Sequence, residues 1–245
     1  MELIFSDEAL AIVVPIAAYW VYSGMYMALG RSMDQYRLHP REEERSKNLV
    51  PKRDVVKGVL LQQLVQAAVA AAIFTLRGES TGTAAGEARQ RTTWATWVTV
   101  AMQIAVGMAV LDGWQYAWHR YMHLNKFLCR HVHSWHHRLV VPYALGAQYN
   151  HPMEGLLLDT VGGALAFLAS GMAPRVSIFF FTLCTVKGVD DHCGLWLPGN
   201  PRASRYNFSQ PFFVTWDKVF GTHMPYVVEH RTQGGLHVRP VEALN

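Results

Sequence analysis

The sequence predicts an all-α integral membrane helical bundle, with about three spans plus a helical hairpin, and a cytoplasmic histidine-rich metal-binding cap. Three observations carry this expectation. Of 245 residues, 51% are hydrophobic and 16% are charged, well below the quarter usual in soluble domains. Four apolar regions divide the chain. Twelve histidines are present, and seven of them fall between positions 119 and 151.

Residues 9–29 carry no charge and are long enough to cross a hydrocarbon layer of ~30 Å as helix. Residues 55–76 hold one charge, Lys57, at the start, where it can snorkel. Residues 94–118 begin with Trp94 and Trp97 and end with Trp114, Tyr116 and Trp118, an aromatic belt at each end. Residues 155–187 form two shorter stretches broken at Gly171-Met172-Ala173-Pro174-Arg175. These read as a hairpin that enters and returns to one side. Phe179-Phe180-Phe181 and the Ala/Val stripe at 67–73 read as membrane-facing packing and not as a lipid tunnel.

Loop charges set the orientation. Segment 31–54 holds seven Lys/Arg and segment 77–93 holds three, so the first faces the cytoplasm and the second the lumen. The third helix then returns to the cytoplasm near residue 118, and all the histidine clusters land on that face. The acidic start (Glu2, Asp7, Glu8) makes the first apolar stretch a retained anchor and not a signal peptide. Cys129, Cys184 and Cys193 give no disulfide framework. The formal charge of +4 is spread along the chain. That excludes nucleic-acid binding and suits a rim facing anionic lipid headgroups. We read residues 1–245 as one membrane-embedded domain. Residues 1–93 are anchor helices and loops, 94–230 the histidine-rich catalytic region, and 231–245 a loose tail.

The first histidine cluster, His119-Arg-Tyr-Met-His123, continues a membrane helix. Residues four apart share a helical face, so both imidazoles point at one metal. The zinc-protease pattern needs a glutamate after the first histidine; here Arg120 stands there. The second cluster, His133-Ser-Trp-His136-His137, places three imidazoles within one turn. His151, before the hairpin, and His192, after it, return to the same face. The expected metal ligands are therefore His119, His123, His133, His136, His137, His151 and His192, with no catalytic residue beyond them. Asp190 and Asp191 are candidates to orient ligand imidazoles by accepting a ring N–H. Asp190, Asp191 and Glu154 could also substitute as ligands. His223, His230 and His237 read as bystanders, and His39 as solvated.

Imidazole suits zinc, copper, iron and nickel, and seven histidines suggest two metals. Oxidation of an unactivated C–H bond needs a redox cofactor. A site at the membrane surface lets an acyl chain stay in lipid while its head end reaches the metal. A bis-histidine haem carrier is the other reading of facing histidines.

At these residues the chain resembles the fatty acid hydroxylase/sterol desaturase superfamily, from the first membrane helix to about Glu229. Within it the chain looks most like the plant sphingoid base (sphinganine) 4-hydroxylases. That closer resemblance is carried by the strings Asp190–Asn200 and Tyr206–Phe213, then Trp216-Asp217, then Gly221–Tyr226. It implies a di-iron enzyme of the endoplasmic reticulum membrane, multi-pass, using dioxygen. Electrons would come from NAD(P)H through a reductase and a b-type cytochrome. The implied reaction is C4-hydroxylation of sphinganine to phytosphingosine in sphingolipid biosynthesis. The alkane-forming very-long-chain aldehyde decarbonylases share the superfamily and are the alternative. A homo-oligomer, or a hetero-oligomer with homologues, is a further implied possibility.

One departure matters. The family carries a third box, His-x-x-His-His, before the Tyr-Asn-Phe-Ser stretch. Here Pro201 is followed by Arg202-Ala203-Ser204-Arg205 and then Tyr206. The expectation is a weakened or empty second metal site, impaired activity, or a non-catalytic partner subunit.

Overall fold

Ser6 opens the first helix by accepting a hydrogen bond from the Ala9 amide at 3.1 Å, and Asp7 and Glu8 follow in its first turn. Both features satisfy or complement the free amides of a helix start. The structure is a computed structural model that describes residues 6–81, 94–197, 208–209, 212–230 and 235–240. The site of the missing third box lies outside the described residues.

Helix α1 (Asp7–Leu29) leads through a polar segment, with short α2 (Arg41–Lys47), to α3 (Lys52–Thr81). Helix α4 (Trp94–Leu124) follows and runs through the first histidine pair; α5 (Lys126–His131) is short. A 3-10 turn at His133–Arg138 carries the second cluster. The hairpin comes next. Helix α6 (Pro152–Gly155) passes through a π-helical turn (Leu156–Val161) into α7 (Gly162–Ser170), and α8 (Pro174–His192) returns. Gly171, at φ 63°, ends the outward arm, and Pro174 opens the return, where the sequence predicts the break. Each arm spans about 28 Å at 1.5 Å per residue.

Among the described residues, four helical stretches are long and apolar enough to cross a membrane: Asp7–Leu29, Lys52–Leu76, Thr96–Leu124 and Pro152–Ser170. The first three are the expected spans, and the fourth is the hairpin's outward arm. Helices α1 and α8 pack in parallel. Arg175 pairs with Asp7 at 3.2 Å at one end; at the other, Tyr22 and Tyr26 donate to Asp190 at 2.8 and 2.6 Å. Lipid tails offer helices no hydrophobic drive to associate, so such hydrogen bonds and close packing carry the assembly. Trp20 donates to Gln63 (2.9 Å), which donates to Gln148 (2.9 Å).

The segment between α1 and α3 lies at the histidine end. Leu38 donates to the Gly194 carbonyl, Leu49 to the Arg138 carbonyl, and Asn48 to the Val141 carbonyl. The most basic loop and the histidines therefore share one face, as the charge pattern predicts. A small core of Met122, Val132 and Leu158 lies beneath them.

Two expectations are corrected. The tail expected to be loose from 231 instead carries a strand. β1 (Tyr226–His230) pairs antiparallel with β2 (Leu236–Pro240), and buried Leu236 anchors the ribbon by donating to the Arg37 carbonyl. Residues 231–234 and 241–245 lie outside the described residues. The stripe at 67–73 is not wholly membrane-facing: Ala67, Ala70 and Phe181 line an internal cavity. Phe180 is core and Phe179 faces outward.

Candidate metal centre

Helix α4 brings His119 and His123 to one face because they stand one turn apart. The 3-10 turn then folds His133 back over them. One nitrogen from each of these three side chains lies within 4.8 Å of the others. Nε2 of His123 is 3.3 Å from Nε2 of His119 and 2.9 Å from Nε2 of His133. Nε2 of His137 is 2.9 Å from the same His133 atom. The Nε2 atoms of His119, His123 and His133 thus face one another, and that of His137 faces His133. The spacing suits a metal, since nitrogens ~2.1 Å from one ion at right angles stand ~3.0 Å apart. The donor set fits a transition metal and not a calcium-type ion.

The other ring nitrogens are held. Nδ1 of His133 donates to Glu154 Oε1 at 2.7 Å, fixing the tautomer that frees Nε2 for a metal. Nδ1 of His119 donates to the Phe208 carbonyl at 3.1 Å. That carbonyl is placed by Asp217, whose carboxylate accepts the amides of Phe208 and Ser209 and the Thr222 hydroxyl. Burial acts to raise the Asp217 carboxyl, but these hydrogen bonds outweigh it and hold the group below its ordinary value. The Trp216-Asp217 motif therefore acts on the cluster through backbone.

Burial holds the His133 imidazole down to about 4. It also pushes His136 well below its ordinary value, with His192 adding to the effect. His137 is lowered by burial and then by His133. All three are neutral at pH 7, the form that binds metal.

The remaining expected ligands separate into two groups. His136 and His192 face each other, with ring centres 5.5 Å apart. Their Nδ1 atoms turn to the Tyr149 and Gly188 carbonyls at 3.4 and 2.8 Å, leaving two Nε2 atoms at the edge of the cluster. His151 stands outside. Its Nδ1 accepts the Met153 amide at 3.2 Å and caps α6, while its ring packs against Trp135. Asp190 and Asp191 do not orient imidazoles here. Asp190 takes the two tyrosine hydroxyls, and Asp191 pairs with Lys187. Glu154 performs that task for His133. Sequence reasoning missed this contact and the Phe208 carbonyl, because neither has a fixed spacing from its histidine. The ionisable Asp159 inside an apolar stretch was a usable signal.

A cavity of about 580 Å³ opens from the histidines into the bundle. Its inner wall includes Ile12, Ala70, Ile73, Phe74, Phe167 and Phe181, and its histidine end includes Gln115, Glu154 and Asp159. This is an apolar sleeve closed by a polar, metal-binding head.

The family model described as fatty acid hydroxylase matches residues 104–222. Sphinganine C4-monooxygenase 2 of Arabidopsis thaliana is 53% identical over 260 residues, covering 99% of this chain and 98% of that protein. At least 15 of those aligned positions have no residue in this 245-residue chain. A very-long-chain aldehyde decarbonylase of Oryza sativa subsp. indica is 51% identical, covering 96% of each chain. A sphingolipid C4-hydroxylase of Schizosaccharomyces pombe is 39% identical over 90% of each. No solved structure matches. With imidazoles gathered at the end of an apolar bundle, and relatives this similar over nearly the full length, the chain belongs to the fatty acid hydroxylase family of membrane oxygenases.

Proposed function

We propose that this chain hydroxylates carbon 4 of sphingoid long-chain bases. The observation that carries the reading is the apolar cavity ending at the histidine cluster, with His119, His133, His136 and His137 in its wall. It can sheathe an alkyl chain while presenting a carbon near the head to a metal. Two Arabidopsis relatives named as sphinganine C4-monooxygenases, 53% and 55% identical, support this substrate class.

In this reading His119, His123, His133 and His137 hold one iron, and His136 and His192 supply part of a second site. His151 serves as a cap at the edge. Iron bound there supplies the redox chemistry that activates dioxygen. The chain's own residues hold the imidazoles neutral, aim Nε2 inward through Glu154 and Phe208, and keep water from the alkyl chain with Phe74, Phe167 and Phe181. The overall reaction adds one oxygen atom to the C–H bond and reduces the other to water. It consumes two electrons and two protons, with electrons drawn from NAD(P)H through a reductase and a b-type cytochrome. The basic segment 31–54 makes the histidine end cytoplasmic, in the endoplasmic reticulum membrane, where such a donor docks. Because the third histidine box is missing, the second iron is held poorly and turnover is impaired.

The test is expression in yeast lacking its own sphinganine hydroxylase, with sphinganine and a very-long-chain aldehyde supplied and products read by mass spectrometry. The expected product is the 4-hydroxylated base. An alkane without that base would instead favour aldehyde decarbonylation, the second reading, which the rice relative supports. Neither product, from iron-free protein, would favour a partner subunit.

A further inference from the structure

The polar end of the cavity holds acceptors that lack a donor. Gln115 is 8% exposed and Glu154 2%. Among the described residues, Gln115 Oε1 and Glu154 Oε2 are buried with no hydrogen-bond partner. A buried acceptor left in this state costs about 1–3 kcal/mol, so each marks a place where a ligand can bring a donor. Asp159 stands beside them. It accepts one N–H from Gln115 (3.0 Å) and one from Asn150 (3.3 Å). Among the described residues no lysine, arginine or histidine reaches ion-pair distance of it. Asp159 lies deep in the bundle yet keeps some accessible surface, because it lines the cavity. The other acidic groups nearby are occupied: Asp190 by two tyrosines and Asp191 by Lys187.

We propose that Asp159, with Gln115 and Glu154, is a receptor for the protonated amine and hydroxyls of a sphingoid base, and selects such a base over a neutral chain. The inference rests on the hydroxylase reading and deepens it. The ammonium group offers three N–H donors and the two head hydroxyls two more, enough for the two unmet acceptors and for the second lone pairs of Asp159. An aldehyde offers none. Position agrees as well. The amine is three bonds from carbon 4, so its partner must lie beside the metal ligands. Glu154 meets that condition through its contact with His133 (2.7 Å), and Asp159 lines the same cavity as Glu154 and the histidines. The π-helical turn, Leu156–Val161, sets this arrangement. Its widened backbone carries Asp159 five residues beyond Glu154, and such turns recur at functional sites.

The test measures binding of sphinganine and of octadecane-1,3-diol to full-length protein in lipid nanodiscs, with empty discs subtracted and iron per chain recorded. The diol keeps the chain and both hydroxyls and lacks the nitrogen. Wild-type protein is expected to bind sphinganine roughly tenfold more tightly than the diol. Asp159→Asn should bring the two within about twofold at unchanged iron content, and Asp159→Glu should restore part of the preference. Equal wild-type affinities overturn the receptor, and this comparison needs no variant to fold. Asp159→Asn weakening both ligands alike, or losing iron, also overturns it, because Asp159 would then serve the metal or the fold. Selective binding without a 4-hydroxylated product removes the assigned reaction and leaves the receptor standing. The product without selectivity does the reverse.

Discussion

His133 is the residue on which the centre turns, because its Nε2 faces both His123 and His137. Its orientation depends on Glu154. Glu154→Ala removes the Nδ1 acceptor and leaves that N–H buried, so the ring can rotate and present the wrong nitrogen. Iron affinity, read by chelator competition on purified protein, should fall by about 10–100-fold. Unchanged affinity would separate Glu154 from the metal site. A pH effect follows from the same cluster. In an unfolded chain histidines take up protons near pH 6.5, whereas the folded His133 resists until about 4, and His136 and His137 are lowered too. The unfolded state therefore binds more protons between these limits, and stability falls as pH falls through that window. Thermal midpoints of iron-free protein in detergent should drop between pH 7 and pH 5. A His133→Asn, His137→Asn variant should show a flatter dependence. The histidines themselves were legible, since spacings of three and four report a shared face. Glu154 was legible only as a carboxylate near His151, because a contact 21 residues away depends on how the chain returns.

At the scale of elements, length and apolarity reported the helices, and Gly171 and Pro174 reported the hairpin turn. What apolarity cannot report is which side of a helix meets lipid and which lines a cavity. Both surfaces want the same residues, so the 67–73 stripe was read as membrane-facing throughout, although Ala67 and Ala70 line the cavity. The β ribbon was hidden for a related reason: Tyr226–His230 is short, and its partner strand includes the polar residues His237 and Arg239. Close helix approach was partly visible, since Gly162 and Gly163 suit it. A Cβ added at Gly162 would lie 2.8 Å from Trp114 Cδ1 and 3.2 Å from Leu111 Cδ1. Trp114 cannot yield freely, because its indole N–H donates to the Leu157 carbonyl at 2.8 Å in the π-helical turn. Gly162→Val should therefore force α4 and α7 apart at a cost of about 1–3 kcal/mol. The check is a lowered thermal midpoint, together with weakened iron binding if the strain reaches the π-helical turn.

At the scale of the whole molecule, the topology gathers every histidine of the cluster to one end. Helix α4 delivers His119 and His123 as it leaves the bundle, and α8 delivers His192 as it returns. The loop charges alone foretold this shared face, because alternating spans leave few ways to arrange one basic loop and two histidine clusters. They could not foretell how the ligands divide. The described residues provide three converging Nε2 atoms, with that of His137 against His133, but two at the neighbouring position. One ion can be held by four imidazoles; a second ion held by two leaves most of its coordination to water or a substitute. By the family resemblance a His-x-x-His-His segment would stand in the stretch following Pro201, where the sequence has none. Iron measured per chain after detergent purification should therefore lie nearer one than two, and His136→Ala should change it little. His123→Ala should nearly empty the site, because it removes the nitrogen between His119 and His133. A value near two in the unaltered chain would mean that a carboxylate such as Glu154 completes the second site, and the reduced turnover expected here would lose its cause.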